Sequence, residues 1–304
     1  MALQQDTQVR SGRRKSKRRR PVNTLNDLSG TEWIKRTKSW LICDSKRYRQ
    51  NRDTELHPAR YPEELVTEFL EFFTKAGQWV LDPFAGSGAT LVACHETERR
   101  AVGIELSPKY AEMSRRRLAR MNGGGCHVAT GNAADVDATD FWTDRFDGHL
   151  APMMRSDEGL PLFDFIMTSP PYWDMLHKSR GGVESTHQQR AKNGLDTSYS
   201  DRQSDLGNIP DYDDFIEALG AIFDRCALVL RDNAYMVVVI QNVRVPAGEV
   251  RPLAWDLQRR ISQTLSFQGE RIWCQNSKKL GIWGYPTVFV PNYHHHYCLI
   301  FQRK

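Results

Sequence analysis

The 304-residue sequence predicts an α/β protein built on a mostly parallel sheet, with an antiparallel hairpin at its C-terminal edge. Short apolar runs that suit buried strands alternate with segments of helical spacing through most of the chain. The last apolar runs follow one another without a helix between them, as strands of a hairpin do. In a parallel sheet the turns after the strands meet at the carboxyl edge, where α/β folds bind ligands.

The individual elements follow from these runs in chain order. Strands are expected at 79–82, 100–105, 127–130 and 163–168. Helices are expected where apolar residues recur at helical spacing, at about 63–74, 87–97, 108–121, 211–230 and 255–267. The final strands are expected at 235–240, around Ile272, at 288–290 and at 298–301. An acidic stretch, 135–162, is expected to be irregular.

The charge of the chain is concentrated at its N-terminus. Residues 1–20 carry eight Lys or Arg and one acid, Asp6, so their net charge is +7. Because the net charge of the whole chain is +5, the other 284 residues have a net charge of about -2. With almost no apolar residues, 1–30 is expected to be a disordered basic tail before a domain at 31–304. The tail is either a solubilising extension or a flexible arm on a phosphate backbone.

Several classes of protein are disfavoured by composition. No run of eighteen apolar residues exists, so no membrane span is expected, and the basic N-terminus lacks the apolar core of a signal peptide. The six cysteines are scattered without a CxxC pair, which fits a reducing cytoplasm and argues against a zinc module. Cys274, His294–His296 and Cys298 are weighed as a metal site and rejected, because the three histidines adjoin an apolar strand and alternate in face.

A glycine-rich turn follows the first strand of the alternating region, over Asp82–Thr90. Gly86 and Gly88 allow the backbone to come close to a ligand. The turn is neither a phosphate loop nor a full dinucleotide GxGxxG. Glu105 ends the next strand 23 residues after Asp82, near the spacing of about 20 that is typical of a ribose-binding acid. This favours a nucleoside cofactor without a pyrophosphate over an ordinary βαβ unit.

A second motif, Ser169-Pro170-Pro171-Tyr172, follows the apolar run 163–168. Two prolines fix φ near -65° and remove two backbone donors, so nearby carbonyls are held rigidly and are free to accept hydrogen bonds. Tyr172 and Trp173 add flat aromatic faces. The combination suits a pocket for an amino-bearing heterocycle, whereas the alternative is a plain Pro-Pro turn that leaves a strand.

Taken together, the two motifs resemble those of a known family. DPFAGSGAT (82–90) resembles the S-adenosylmethionine loop of the DNA amino-methyltransferases, and TSPPYW (168–173) resembles their catalytic motif. The segment HPARYP (57–62) with the helix after it is similar to their cofactor-closing segment, and 284–301 to their final hairpin. The resemblance covers about 31–304 and implies a Rossmann-like methyltransferase fold. In this chain the cofactor loop comes before the catalytic loop. The sequence of 57–105 nevertheless resembles that of family members in which the catalytic loop comes first.

Site residues follow from this resemblance. It implies a catalytic motif formed by Ser169, Pro170, Pro171 and Tyr172, with Tyr172 and Trp173 stacking on the target base. It implies S-adenosyl-L-methionine as cofactor, held by His57, Asp82, Phe84, Ala85, Gly86, Ser87, Gly88, Glu105 and Asn132. Asn132 stands where the family usually has Asp, and an amide oxygen accepts the adenine amine less strongly.

The resemblance also implies a substrate. Thr-Ser before Pro-Pro is commoner among enzymes that methylate the N4 amine of cytosine in double-stranded DNA. Adenine N6, an amine of structured RNA, and a non-catalytic nucleic-acid-binding relative are the alternatives. No cysteine adjoins the motif, so methylation of a ring carbon by an attacking thiol is disfavoured.

Contacts with DNA are expected from a polar insertion at about 174–210, which is too long for an ordinary connector; a disordered insertion is the alternative. Its candidate residues are Lys178, Arg180 and Arg190, and a second candidate patch is Lys278-Lys279 with Trp283. A cytoplasmic protein is expected, associated with the nucleoid of a prokaryotic or phage-infected cell. The sequence leaves open whether a cognate restriction endonuclease exists. It also leaves open whether the protein is a monomer or a homodimer.

Overall fold

The structure is a computed structural model, and it describes residues 22–44, 61–146, 148–173, 205–245, 248–278, 280–282 and 284–304. The described helices are α1 Gly30–Arg36, α2 Glu63–Phe73, α3 Ala89–Glu96, α4 Pro108–Arg120, α5 Thr139–Phe146, α6 Tyr212–Leu228 and α7 Leu253–Ile261. The described strands are β1 Trp40–Ile42, β2 Trp79–Asp82, β3 Arg100–Glu105, β4 Cys126–Thr130, β5 Phe163–Thr168, β6 Leu230–Ile240, β7 Val243–Arg244, β8 Val250–Arg251, β9 Ser266–Cys274 and β10 His295–Gln302. Short 3-10 turns occupy Ala133–Asp135 and Leu206–Asn208.

Eight strands form one sheet in the order β1-β9-β10-β6-β5-β2-β3-β4, and β7 pairs with β8 separately. The neighbours from β4 to β6 are all parallel, whereas β10 is antiparallel to both β6 and β9. The predicted α/β fold, a mostly parallel sheet with an antiparallel C-terminal hairpin, is therefore confirmed. One strand of the eight-stranded sheet was not expected: β1 pairs in parallel with β9 and covers the outer side of the hairpin. The short strands β7 and β8 were not expected either.

The strand order creates a crevice at the middle of the sheet. From β2 the chain moves outward to β3 and β4, and it then returns to pair β5 on the other side of β2. The turns that leave β2 and β5 therefore diverge from adjacent strands at the same edge. Doubly wound sheets bind ligands outside the carboxyl ends of the strands at such a switch point.

Both faces of the sheet are covered, which explains why its central strands read as continuous apolar runs. Alternate residues of one strand enter different cores: Val80 packs with α2 and α3, whereas Leu81 packs with α5, α6 and α7. Phe165 and Ile166 of β5 are divided between the same two cores. A strand buried on both faces holds its terminal residues rigidly, and those residues begin the two motif turns.

Some predicted boundaries differ from the structure. The 288–290 run is not a strand, because the Val288 amide bonds back to the Gly284 carbonyl in a turn. The helix expected to reach 267 ends at Ile261, and β9 begins at Ser266 because Phe267 pairs with β10. The stretch expected to be irregular contains α5, whose Trp142 is buried and donates to the Val136 carbonyl at 2.8 Å.

The packed domain also begins earlier than expected. Residues 22–30 were assigned to the disordered tail, but Asn26 is buried and its amide donates to the Phe72 carbonyl of α2 at 2.5 Å. Ser29 caps α1 in a reciprocal arrangement with Glu32. The rest of the tail, 1–21, lies outside the described residues, as does the insertion from 174 to 204.

Within the described part of the chain, no helix combines the length and the apolar character needed to cross a bilayer. None of the six cysteines forms a disulfide. The described residues also contain no cluster of His, Cys, Asp and Glu that could hold a metal ion, which includes the His294–His296 region.

Candidate functional site

A cleft of about 850 Å³, open mouth included, lies at the carboxyl edge of the sheet. The turns after β2, β3, β4 and β5 line it, together with the start of the 3-10 turn at 206 and one residue of α6. Its described lining residues are Tyr61, Pro83–Ser87, Ala89, Glu105–Ser107, Gly131–Ala133, Ser169–Pro171, Asp205, Leu206 and Ile222. The glycine turn and the double-proline corner therefore face one common cavity, as the sequence predicts.

Asp82 ends β2, but it does not line this cleft. Its carboxylate is buried and accepts hydrogen bonds from the Phe84 amide at 3.1 Å and from the hydroxyls of Thr168 at 2.6 Å and Tyr61 at 3.0 Å. The Thr90 hydroxyl is a fourth donor. Burial raises the pKa of Asp82, and these four donors oppose the rise. A cofactor contact was predicted for Asp82, whereas in the structure its carboxylate ties the glycine turn, α3 and β5 together.

The two glycines of the turn have different roles. Gly86 has φ 51°, lines the cleft and donates its amide to a Glu105 oxygen at 2.8 Å. Gly88 has φ 81° and does not line the cleft, although a cofactor contact was predicted for it. A Cβ there would lie 2.1 Å from the Ser114 hydroxyl of α4. Gly88 therefore allows α3 and α4 to pack closely.

Glu105 ends β3 and lines the cleft as predicted. Its two oxygens accept the Gly86 and Ser107 amides, each at 2.8 Å. Burial raises the pKa of Glu105 to about 7, while these two amides oppose the rise and the nearby charges of Asp82 and Asp205 add to it. A carboxyl group that titrates near neutral pH is thus held between two turns of the cavity.

Asn132 also lines the cleft, but its amide oxygen is already engaged. It accepts the Ala134 amide at 3.0 Å and thereby caps the 3-10 turn that follows β4. The acceptor that the resemblance assigns to this position is therefore shared with the backbone of the chain itself. Asn132, which stands where the resemblance expects Asp, thus uses its side-chain oxygen to cap the turn after β4.

Asp205 is a cleft residue that the sequence analysis missed. It is 5% exposed and lines the cavity, and one oxygen accepts the Gly207 amide at 2.9 Å. Its second oxygen has no hydrogen-bond donor among the residues that the structure describes. The Asp-x-Gly cap was a readable turn signal, but it closes a long polar insertion, and nothing in the sequence located it beside β5.

The double-proline corner places Ser169, Pro170 and Pro171 on the cleft wall. The Ser169 and Tyr172 hydroxyls share a hydrogen bond of 3.2 Å, and Tyr172 also donates to the Val239 carbonyl of β6 at 3.4 Å. Tyr172 itself is buried and is not among the described lining residues of the cleft, although stacking on the target base was predicted for it. The Thr168 side chain points the other way, to Asp82. Ser169 is therefore the polar side chain of the motif that faces the cavity.

Trp173 does not take the position predicted for it. Its indole is buried, donates to the Ile209 carbonyl at 3.2 Å and lies edge-on to Tyr212 with ring centroids 5.1 Å apart. Because both its polar edge and its ring are used in the core, Trp173 is not presented to the cleft as a stacking face. The aromatic at this position anchors the start of α6 instead.

The first residues of β10 support Tyr172 from the hairpin side. The His296 ring stacks on Trp273 at 4.6 Å between centroids and lies 6.2 Å from the Tyr172 ring. Burial lowers the pKa of His296 to about 3, so this imidazole is neutral at physiological pH. Its Nδ1 is buried without a partner among the described residues. The hairpin thus joins the catalytic motif directly.

The charge of the cleft is distinctive. Among its described lining residues are two carboxylates, Glu105 and Asp205, and no Lys, Arg or His. Such a lining favours a cationic ligand and opposes phosphate groups. Phe84, Leu206 and Ile222 add apolar surface suited to a ring system.

Five predicted site residues lie outside the described residues: His57, Lys178, Arg180, Arg190 and Lys279. Trp283 does so as well. Lys278 is described and exposed, and its ammonium donates to the Tyr293 carbonyl at 2.8 Å, between β9 and β10.

The fold is a Rossmann-like α/β fold, and its switch-point crevice holds a glycine turn, the acid Glu105 at the end of the next strand, and no Lys, Arg or His among its described lining residues. Comparison with known proteins shows what the chain resembles. A family model for N6/N4 amino-methyltransferases, described as DNA methylase, matches residues 3–116. This range contains the cofactor turn and Glu105 and ends before the Ser169 motif.

Curated relatives agree with the family model. Type II methyltransferase M.Cfr9I from Citrobacter freundii is 45% identical over 62 residues, 20% of this chain and 21% of the relative. Type II methyltransferase M2.DpnII from Streptococcus pneumoniae is 39% identical over 66 residues, 22% of this chain and 25% of the relative. The chain thus spans about a quarter or less of the length of these relatives. The predicted resemblance to the DNA amino-methyltransferases is confirmed by these matches.

Solved structures with a similar fold are more distant. A methyltransferase from Pyrococcus furiosus is 15% identical with a TM-score of 0.44, over 85% of this chain and 93% of that one. TrmN from Thermus thermophilus is 12% identical with a TM-score of 0.42, over 80% of this chain and 48% of that one. The strand order of the sheet itself carries the fold assignment.

Proposed function

We propose that this protein transfers a methyl group from S-adenosylmethionine to the exocyclic N4 amine of cytosine in double-stranded DNA. One observation carries the proposal: the Ser169-Pro170-Pro171 corner and the glycine turn after β2 line a single cleft that is acidic and free of basic side chains in its described lining. This arrangement supports a reading in which an amine-orienting rim lies beside a site for a cationic nucleoside.

The residues of the cleft fit the cofactor in their chemistry. Glu105 would accept the ribose hydroxyls, and Phe84, Leu106 and Ile222 offer apolar contact to the adenine ring. The two carboxylates favour the positive charge of the sulfonium, while the absence of a basic side chain among the described lining residues agrees with a nucleoside lacking phosphates. When bound, the cofactor supplies an electrophilic methyl group.

The Ser169 hydroxyl and the Pro170 carbonyl would orient the acceptor amine. The lone pair of an exocyclic amine is delocalised into its ring, and hydrogen bonds from the amine to these two oxygens favour a pyramidal nitrogen whose lone pair faces the methyl group. The gain comes from orientation, because no covalent step with the protein is needed. Tyr172, whose hydroxyl already bonds to Ser169, is the ring assigned to stacking on the base.

The target base must leave the duplex to reach this cleft, at a cost of a few kcal/mol. Stacking on Tyr172 would offset about 1–3 kcal/mol of this cost. Cytosine is preferred because the polar side chain at the rim is the neutral Ser169, and the resemblance links Thr-Ser before Pro-Pro to cytosine enzymes. Methylation of adenine N6 is the alternative.

Incubation with labelled S-adenosylmethionine and defined DNA, followed by nucleoside analysis, tests the proposal. N4-methylcytosine is the expected product. N6-methyladenine would overturn the choice of base, label found only in RNA would overturn the substrate class, and no transfer to any nucleic acid would leave a binding protein. Methylation-aware sequencing of DNA from cells that express the protein would then identify the recognition sequence.

Cofactor affinity is expected to depend on pH through Glu105. Its pKa of about 7 means that the carboxyl is protonated at pH 6 and ionised at pH 8, and only the ionised form accepts hydroxyl hydrogens with full strength. The dissociation constant should therefore fall by about tenfold from pH 6 to pH 8. Calorimetry across this range measures it, and Glu105→Gln should give weaker, nearly flat binding. An equally steep curve for Glu105→Gln would contradict the assignment.

Asp205 is expected to contribute to cofactor binding through its unshared oxygen, which is placed to accept from an amino group. Asp205→Ala should weaken S-adenosylmethionine binding by about ten- to a hundredfold, because a hydrogen bond to a charged group is lost. Asp205→Asn keeps the Gly207 cap and an oxygen acceptor, so its loss should be smaller. Unchanged calorimetric affinity in the folded Ala variant would exclude this role.

A further inference from the structure

The loop between β9 and β10, residues 275–294, projects from the same edge of the sheet as the cleft. Both β6 and β9 are antiparallel to β10, so β9 runs parallel to β6 and its C-terminus lies at the carboxyl edge. The loop leaves β9 beside Trp273, which stacks on His296, and His296 lies against Tyr172. The loop is therefore anchored next to the catalytic motif.

This loop exposes more large apolar surface than any other short segment among the described residues. Leu280 is 78% exposed, Ile282 85%, Tyr285 82% and Phe289 85%. Its sequence contains two lysines, Lys278 and Lys279, and no Asp or Glu. Asp44, which follows β1, contacts the base of the loop, where it accepts from the Ser277 amide and hydroxyl. Exposed apolar and aromatic side chains in a loop whose own charged residues are basic complement nucleic acid.

Backbone and side-chain hydrogen bonds give the loop a defined shape. The Asn292 side chain accepts the Gly281 amide and donates to the Gly281 carbonyl, each at 2.9 Å, which closes the base of the loop. The Thr287 and Val288 amides both bond to the Gly284 carbonyl, which forms a turn. Gly284 has φ 70°, and a Cβ there would lie 2.2 Å from the Val288 carbonyl oxygen. The apolar side chains are thus presented on an ordered turn.

We infer that this loop is a wedge that contacts the bases of the opened DNA duplex, with Tyr285 and Phe289 entering the stack from which the target base has left. This inference rests on the proposed function and identifies the surface that engages the rest of the duplex. Proteins that distort DNA insert apolar side chains between base steps and thereby stabilise the distorted form. Here the insertion stabilises the extruded state while the Ser169-Pro170 rim holds the base in the cleft.

A second copy of this chain is the competing occupant of such a surface. The lack of acids in the loop disfavours it, because a self-complementary surface with two lysines meets the same positive charge on its partner. Proximity to Tyr172 also favours the nucleic acid, since a duplex whose base occupies the cleft passes over this edge of the sheet.

The test compares two duplexes that contain the recognition sequence found by sequencing. In one the target base is paired, and in the other it faces an abasic site, is unpaired and is extruded at lower cost. The double variant Tyr285→Ala/Phe289→Ala should lose about ten- to a hundredfold in kcat/KM on the paired duplex. It should lose less than about threefold on the abasic one, because little extrusion cost remains there. Met154→Ala is the matched control: Met154 is 57% exposed and lies before β5, at the opposite edge of the sheet.

Each outcome is informative. Equal losses on both duplexes, or none on either, would overturn the wedge while leaving the methyltransferase assignment intact. A wild-type dimer that becomes monomeric in the double variant, by light scattering, with unchanged activity per chain, would reassign the loop to a contact between copies. Absence of transfer by the wild-type protein on both duplexes would overturn the proposed function itself, and the wedge with it.

Discussion

Replacing Tyr172 with alanine is expected to lower kcat for methyl transfer by about a hundredfold or more while leaving cofactor affinity nearly unchanged. The loss combines the stacking energy of the ring, about 1–3 kcal/mol, with loss of the hydroxyl that holds Ser169. Cofactor binding should persist, because the residues proposed to contact the cofactor lie on other turns of the cleft. Single-turnover kinetics and calorimetry measure the two quantities separately.

Tyr172→Phe provides the matched control for this prediction. It keeps the ring and removes only the hydrogen bonds to Ser169 and the Val239 carbonyl, so a loss of about tenfold or less is expected. Pro170→Ala, which frees the rigid corner, should behave like Tyr172→Ala. Full activity in both Tyr172→Ala and Pro170→Ala would show that the pocket has been assigned to the wrong residues.

Replacing Asp82 with alanine is expected to destabilise the fold by about 3–5 kcal/mol, because it removes a buried acceptor and leaves its partners unsatisfied. Three hydroxyls from different parts of the chain would lose their hydrogen-bond acceptor, namely those of Tyr61, Thr90 and Thr168. Asp82→Asn keeps one acceptor oxygen and should cost less. Urea unfolding at a fixed pH, followed by circular dichroism, measures the free energy of unfolding.

An exposed acid is the control for this stability measurement. Asp232 pairs with Arg303 at 3.1 Å on the surface, with 76% of its side chain exposed, so Asp232→Ala should change stability by less than about 1 kcal/mol. If Asp82→Ala were equally mild, the four-donor arrangement around Asp82 would not be a structural anchor. The predicted cofactor contact would then regain support.

The sequence predicted the central elements well because they are buried on both faces. The bounds expected for β3 and β5 agree with the structure at both ends, since each apolar run stops at a polar turn. Other elements were missed for physical reasons. β1 has only three residues and is defined by pairing with β9, and α5 is hidden in a stretch whose acids dominate its composition.

The site was predicted at the level of its turns, whereas side-chain direction was not readable. Pattern and spacing placed Ser169, Gly86 and Glu105 at one edge, and the structure brings them to one cleft. Whether a polar residue at a strand end faces the cavity or the core depends on nearby donors. Asp82 therefore turned inward to the Thr168 hydroxyl, and Asp205 was contributed by a distant polar segment.

The order of the motifs has a structural explanation in the sheet. The family match ends at residue 116. The Ser169 motif comes later in the chain and therefore lies outside that match. β5 nevertheless pairs directly with β2, as Leu81 with Ile166. Neighbouring strands bring the two motifs to a common edge whatever their order along the chain.

The Asp82 carboxylate has a consequence for how the sequence of this protein can evolve. One small group is shared by the turn that ends at Thr90 and the strand that ends at Thr168, so neither can shift without pulling on the other. The glycine turn and the Ser169 corner are therefore mechanically linked through one carboxylate. Under the proposed function, substrate preference is expected to vary in parts of the chain that this carboxylate does not hold, such as the loop between β9 and β10.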